Sequence, residues 1–277
     1  EISCSLVGSE MCIRDSFLKY HEEYYHPSNS YIYIYGDMDV NERLEYLDRE
    51  YLSDFDVSDV DIHANIERQA AFDKPVYETK PYAITEDESL EDNTYLSYNA
   101  VIGTSVDAKL YLAFQILDYA LVMTPGAPVK QALLDAGIST DVYSSYETSL
   151  YQPVYSIVAK NSNSKEQDRF VSVINDTLEK LVKDGINERT IEAGINYYEF
   201  KYREADYGPY PKGLMYYLTM MDSWLYDETK PFIHIEAGDT FDELKKNARN
   251  GYFEKLIKEY LLSLIHISEP TRLQLIS

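Results

Sequence analysis

Histidine is the side chain best suited to bring in a metal, and four of the five in this chain, His21, His26, His63 and His234, lie between Phe17 and Leu262. The string His21-Glu22-Glu23-Tyr24-Tyr25-His26 looks at first like a zinc-peptidase motif. Two zinc-ligating imidazoles on one helix must share a face, which requires three intervening residues. Here four intervene, and the rings point about 140° apart at 3.6 residues per turn. Pro27 then stops the helix. The inverted spacing, His-x-x-Glu-His, does not occur. Asp54, Asp56, Asp59 and Asp61 gather oxygen ligands of the kind calcium prefers. Counted from Asp54, however, the glycine and glutamate that an EF-hand loop needs are replaced by Asp59 and Asn65. There is no phosphate-binding loop, dinucleotide fingerprint or Gly-x-Ser-x-Gly elbow. Both cysteines, Cys4 and Cys12, precede Phe17, so the region from Phe17 to Leu262 has no thiol for catalysis, disulfides or metal binding. That usage fits a reducing compartment: cytoplasmic, or an organelle matrix in a eukaryote.

What remains is tyrosine, 28 residues in all. Tyr197, Tyr198 and Tyr202 are the candidate substrate-binding residues, followed closely by Tyr207 and Tyr210. Each ring offers a wide apolar face with a hydrogen-bonding tip, which suits extended peptides of varied sequence. The competing reading is that these rings only pack helices together.

The elements that must position these residues follow from periodicity. Phe17 to His26 reads as a short amphipathic helix. Ser30 to Gly36 reads as a strand covered on both sides, with Ile32 and Ile34 on one face and Tyr31, Tyr33 and Tyr35 on the other. Asn41 caps a helix to about Tyr51. Between Ser53 and Pro81 the periodicity fades, as expected of an interdomain linker. A fuller module spans 82–262. It starts with a strand over Tyr95 to Ile102 and a helix from Asp107 to Met123 with Leu110, Ala113, Phe114, Leu117, Ala120 and Leu121 on one face. A shorter helix covers Val129 to Asp135, and strands cover Asp141 to Glu147 and Val154 to Lys160, the second buried on both faces by its composition. Ser164 with Gln167 forms a capping box for a helix ending at Gly185. Asn187 caps a helix to Glu204 whose Ile191, Ile195, Tyr198 and Tyr202 share a face. Helices follow over Pro211 to Leu225, Thr240 to Asn247 and Tyr252 to Leu262. The fold class is α+β, a largely antiparallel sheet with helices on one side.

With 25 basic against 48 acidic residues and a net charge of -23, the 277-residue chain repels phosphate backbones, which argues against a nucleic-acid partner. No apolar run approaches the roughly 18 residues that span a bilayer, and no membrane partner is expected. Residues 1–16 and 263–277 look foreign. Ser5 to Ser16 and Ser263 to Arg272 resemble peptides made when sequencing-adapter DNA is translated, and both ends are set aside as artefact tails.

Tyr25-His26-Pro27-Ser28-Asn29-Ser30-Tyr31-Ile32-Tyr33-Ile34-Tyr35-Gly36-Asp37 resembles the strand that closes the first domain of insulinase-type zinc metallopeptidases of the presequence protease branch. Thr124-Pro125-Gly126-Ala127-Pro128, Ala132 to Ile138, Phe200 to Gly208 and Asp222-Ser223-Trp224-Leu225-Tyr226 resemble that branch's second domain. The resemblance covers essentially all of Phe17 to Leu262. It implies four homologous α+β domains closing around an unfolded peptide, with the first domain carrying an inverted zincin motif and a later Glu ligand. Those positions would precede Phe17. The resemblance therefore implies the tail of the catalytic domain at 17–52 and a non-catalytic second domain at 82–262 lacking its final strand. The parent enzyme would use zinc that this chain does not bind. Expected partners are unstructured peptide substrates and the remaining domains of the same polypeptide. Two alternatives stay open, a catalytically inactive scaffold or interaction subunit and a free-standing peptide-binding module.

Overall fold

The computed structural model describes residues 2–56, 66–85, 89, 91–263 and 271–275. It divides into two compact units, Glu1–Ile66 and Glu67–Ser277.

The first unit holds helices α1 (Ile2–Tyr24) and α2 (Val40–Glu50). Helix α1 is one continuous rod that runs through the segment set aside as foreign, and its described side chains are almost all exposed. Asp39, not Asn41, caps α2, because its carboxylate accepts from the backbone N–H of both Asn41 and Glu42. The strand expected at 31–35 does not form. Alternation makes a segment suited to a sheet, but a strand also needs a neighbour, and the described residues of this unit contain no other strand. No described side chain in the unit is fully buried.

The second unit is built on β2 (Thr94–Val101), β3 (Asp141–Glu147) and β4 (Val154–Ser162), antiparallel in the order β2-β4-β3. Their registers align three inward rows across the sheet: Leu96, Ala159 and Val142; Tyr98, Ile157 and Ser144; Ala100, Tyr155 and Tyr146. The opposite rows carry Ser97, Asn99 and Ser156, half-exposed, and Ser145, exposed. Strand β4 is thus buried on one face, not two. Its outward Val154 and Val158 have the apolar character of core residues but alternate with Ser156 and Lys160 on a partly open surface.

The helices of the core gather on the inward side of the sheet, a first layer packing on its strands. Helix α3 (Ala108–Asp118), capped by Asp107, continues as a π-helical turn (Tyr119–Met123). The six residues expected on its apolar stripe are buried, and so are Leu112 and Ile116, because α6 (Glu188–Glu204) and α8 (Gly238–Asn247) cover its far side. The run Ala108–Asp135, which includes α4 (Pro128–Asp135), is long and apolar enough by composition to cross a membrane, contrary to the reading from sequence. It is mostly buried as the core of this unit. Helix α5 (Gln167–Asp184) turns Phe170, Ile174 and Leu178 inward. Asn163 accepts from the Lys165 N–H to cap a 3-10 turn ahead of it, and the N-cap of α5 is Glu166, without a side-chain cap bond, in place of the capping box expected at Ser164. After α7 (Lys212–Trp224), helix α9 (Tyr252–Leu256) ends in a second π turn (Ile257–Leu261), and the Tyr98 hydroxyl donates to the Leu261 carbonyl.

Strand β1 (Glu78–Tyr82) forms within the stretch read as linker, and β5 (Thr271–Leu275) forms in the segment set aside at the C-terminus. They pair in parallel, and β5 also runs close to β2. Pro81 cannot donate to a ladder, as suits an edge strand. Residues 264–270 lie outside the described residues.

Gly194 lets α6 lie against α3. A Cβ there would sit 3.1 Å from Tyr119 Cδ1 and 3.2 Å from Ile116 Cγ2. A branched side chain cannot fit without separating the helices, and Gly194→Val is expected to destabilise the unit by about 1–3 kcal/mol. Urea unfolding checks this, and an unchanged midpoint would show that the helices separate at no cost.

Candidate functional site

Helix α6 starts where Asn187 accepts from the Arg189 N–H. One turn separates Tyr198 from Tyr202, so both rings emerge on the side of α6 that faces α3. They form part of the wall of a cavity of about 630 Å³ closed by α3, α7, α8 and the turn at 233–237. The Tyr202 hydroxyl donates to the Ile235 carbonyl at 3.0 Å, and its ring packs on Phe241 with centroids 5.5 Å apart. The Tyr198 hydroxyl points at Met123 Sδ, 3.7 Å away on the π turn. Tyr197, one residue round the helix, does not line the cavity. Its ring stands against Tyr119 and Tyr198, both at 5.1 Å, and the Lys201 ammonium lies 4.5 Å above it. That cation–π contact orients Lys201, which is itself a cavity-lining residue.

The floor contains residues that no motif announced. His234, 8% exposed, shares a 2.8 Å hydrogen bond through Nε2 with the Ser105 carbonyl and stacks on Tyr111 with centroids 3.9 Å apart. Tyr111 donates to Asp222 Oδ2 at 2.8 Å, and Thr148 donates to the same oxygen at 3.3 Å. Burial pushes the His234 imidazole down to about 4, opposed only in part by the Ser105 bond, so the ring is neutral near pH 7. Burial raises the Asp222 carboxyl, although the bonds from Tyr111 and Thr148 pull the other way. Burial likewise raises the Tyr111 and Tyr198 phenols, which therefore stay protonated and act as donors, not nucleophiles. This is the chemistry of recognition.

The residues first considered for metal chemistry are dispersed. His21 belongs to α1 and stacks on Tyr25 at 4.5 Å. His26 lies past the end of that helix and accepts from the Ser28 N–H. His63, Asp59 and Asp61 fall outside the described residues. Among the described residues no three His, Cys, Asp or Glu side chains are grouped to hold a metal ion.

A one-sided antiparallel sheet backed by helices makes this an α+β fold. A protease of Helicobacter pylori superposes with a TM-score of 0.65 at 13% identity, over 92% of this chain and 58% of that one. The ferredoxin protease FusC, solved with Arabidopsis ferredoxin, gives 0.59 at 13% identity, over 95% of this chain and 28% of that one. The family model described as the peptidase M16 inactive domain matches residues 12–198, and the chain belongs to that family. Its sequence is 41% identical over 254 residues to Protein HypA of Clostridium perfringens, covering 92% of this chain and 26% of that protein. It is 31% identical over 258 residues to presequence protease 1, chloroplastic/mitochondrial, of Arabidopsis thaliana, covering 91% of this chain and 24% of that protein. The chain thus spans about a quarter of the length of these curated relatives.

Proposed function

We propose that this chain is part of a zinc metalloendopeptidase that degrades short unstructured peptides, and that it supplies chamber wall without the catalytic motif. The observation that carries this reading is the match to an inactive peptidase domain in a chain related over nine-tenths of its length to a presequence protease four times as long. In this reading residues 17–52 end the catalytic domain, 53–81 connect, and 82–262 form the non-catalytic second domain. The parent protein works in the cytoplasm, or in an organelle matrix in a eukaryote. The remaining domains of the polypeptide are the structural partners, consistent with a first unit that has no fully buried side chain among its described residues and so gains little hydrophobic stabilisation by itself. Tyr197, Tyr198 and Tyr202 belong to the peptide-contacting surface. In this reading the zinc and its chemistry belong to other parts of the parent.

Incubation with a fluorogenic unstructured peptide and zinc tests this. The chain alone is expected to show no chelator-sensitive turnover, while the longer polypeptide that contains this sequence cleaves the peptide. Turnover by the chain alone would overturn the assignment of catalysis to other domains. A longer polypeptide that binds peptide without cutting it would favour the scaffold role.

A further inference from the structure

The cavity beside α6 has an unusual charge balance for this protein. Of its sixteen lining residues two are basic, Lys201 and Arg203, and none is acidic, in a chain with nearly twice as many acids as bases. Arg203 is committed, since its guanidinium donates twice to Glu199 Oε1, at 2.7 and 3.0 Å. Glu199 also takes Lys245 at 2.7 Å. Lys201 is different. Among the described residues no carboxylate lies within ion-pair distance of its ammonium, which stands over the Tyr197 ring, and the residue is part of the cavity lining. The same lining holds Tyr198, Tyr202, Tyr207 and Tyr216 together with the buried, neutral His234 ring. A cavity of about 630 Å³ lies within the range that encloses small ligands.

We propose that this cavity binds a carboxylate carried on an apolar or aromatic body, with Lys201 taking the carboxylate and the tyrosines taking the body. The inference rests in part on the peptide-wall reading, because the C-terminal residue of a peptide is one source of that chemistry. A free aromatic acid is the other. Tyr197 orients Lys201 without neutralising it, so a carboxylate gains a charge-assisted bond there. An amide of the same shape gains only the apolar contact.

Calorimetric titration of the full chain with three ligands provides the test: a ten-residue peptide ending in phenylalanine with a free carboxylate, its C-terminal amide, and N-acetylphenylalanine. The free-acid peptide is expected to bind about tenfold more tightly than the amide, a preference lost in Lys201→Gln and largely kept in Lys201→Arg. Lys201 is exposed, so its substitution should leave the thermal midpoint in place. Lys201-dependent binding of N-acetylphenylalanine without peptide binding would support the site, assign it to free acids and count against the peptide-wall reading. Equal binding of acid and amide peptides would overturn the carboxylate site and leave the wall reading standing. An acid preference that survives Lys201→Gln, or no binding by any ligand, would also overturn the site.

Discussion

Replacing Phe114 with alanine is expected to destabilise the second unit by about 3–5 kcal/mol, enough to unfold much of a typical domain population under mild denaturant. The ring is fully buried on α3, midway between the sheet and the closing helical turn. Its centroid lies 6.0 Å from Tyr146, 6.1 Å from Tyr155 and 5.6 Å from Tyr260, so truncation leaves a void touched by three large rings from β3, β4 and the last π turn. Those rings are held by the sheet register on one side and by helix packing on the other, and the void cannot close cheaply. Urea unfolding of Phe114→Ala should show a lowered midpoint with an unchanged slope. A loss below about 1 kcal/mol would mean that the layers collapse freely onto the gap, and that α3 is not the rigid centre of the unit.

The second large effect is one of acidity. His234 titrates at 6.5 when unfolded and near 4 in the fold, so between those values the unfolded chain binds the extra proton. Its contribution is complete above pH 6.5 and is lost as pH falls towards 4, by roughly 3 kcal/mol at most. Asp118 and Asp222 act in the opposite sense. Burial raises both carboxyls, so their contribution is present at low pH and fades as pH rises above 3.8. A profile of the native chain alone would mix these terms. The difference between the native chain and His234→Phe isolates the histidine, since phenylalanine keeps a ring against Tyr111 and removes the titration. The native chain should lose ground to the variant steadily from pH 6.5 to pH 4. A difference that stays flat across that window would show that the imidazole is not held neutral.

Apart from β1 and β5, the elements of the second unit were legible because their periods are clean. Leu110, Phe114 and Leu117 repeat as a helix does, and Leu96, Tyr98 and Ala100 alternate as a strand does. Caps were harder, because acids and amides compete locally. Asp39 and Asn41 both offer an oxygen at the start of α2, and only backbone geometry selects the first. Residues 31–35 show the limit of alternation, which says what a segment could pair with but not whether a neighbour is present. In the candidate site, Tyr198 and Tyr202 stood out through their spacing on one helix. His234 did not, since it sits in a turn without periodicity and meets Ser105 across 129 residues of chain. Nor did the sequence show that Lys201 stands over Tyr197 while Arg203 is tied to Glu199, because both are simply basic residues on an acidic helix.

The bond from Tyr98 to the Leu261 carbonyl joins residues 163 positions apart. At synthesis rates of about 5–20 residues per second, β2 leaves the ribosome roughly 10–30 s before the turn that covers it exists. Until then Leu96, Tyr98 and Ala100 can pair with β4 but lack part of their roof, and the half-built sheet is a target for chaperones and for other nascent chains. Folding of this unit is therefore gated by translation of its last helix, and slowing synthesis just upstream of Tyr252 should lower soluble yield while leaving the stability of the finished protein unchanged.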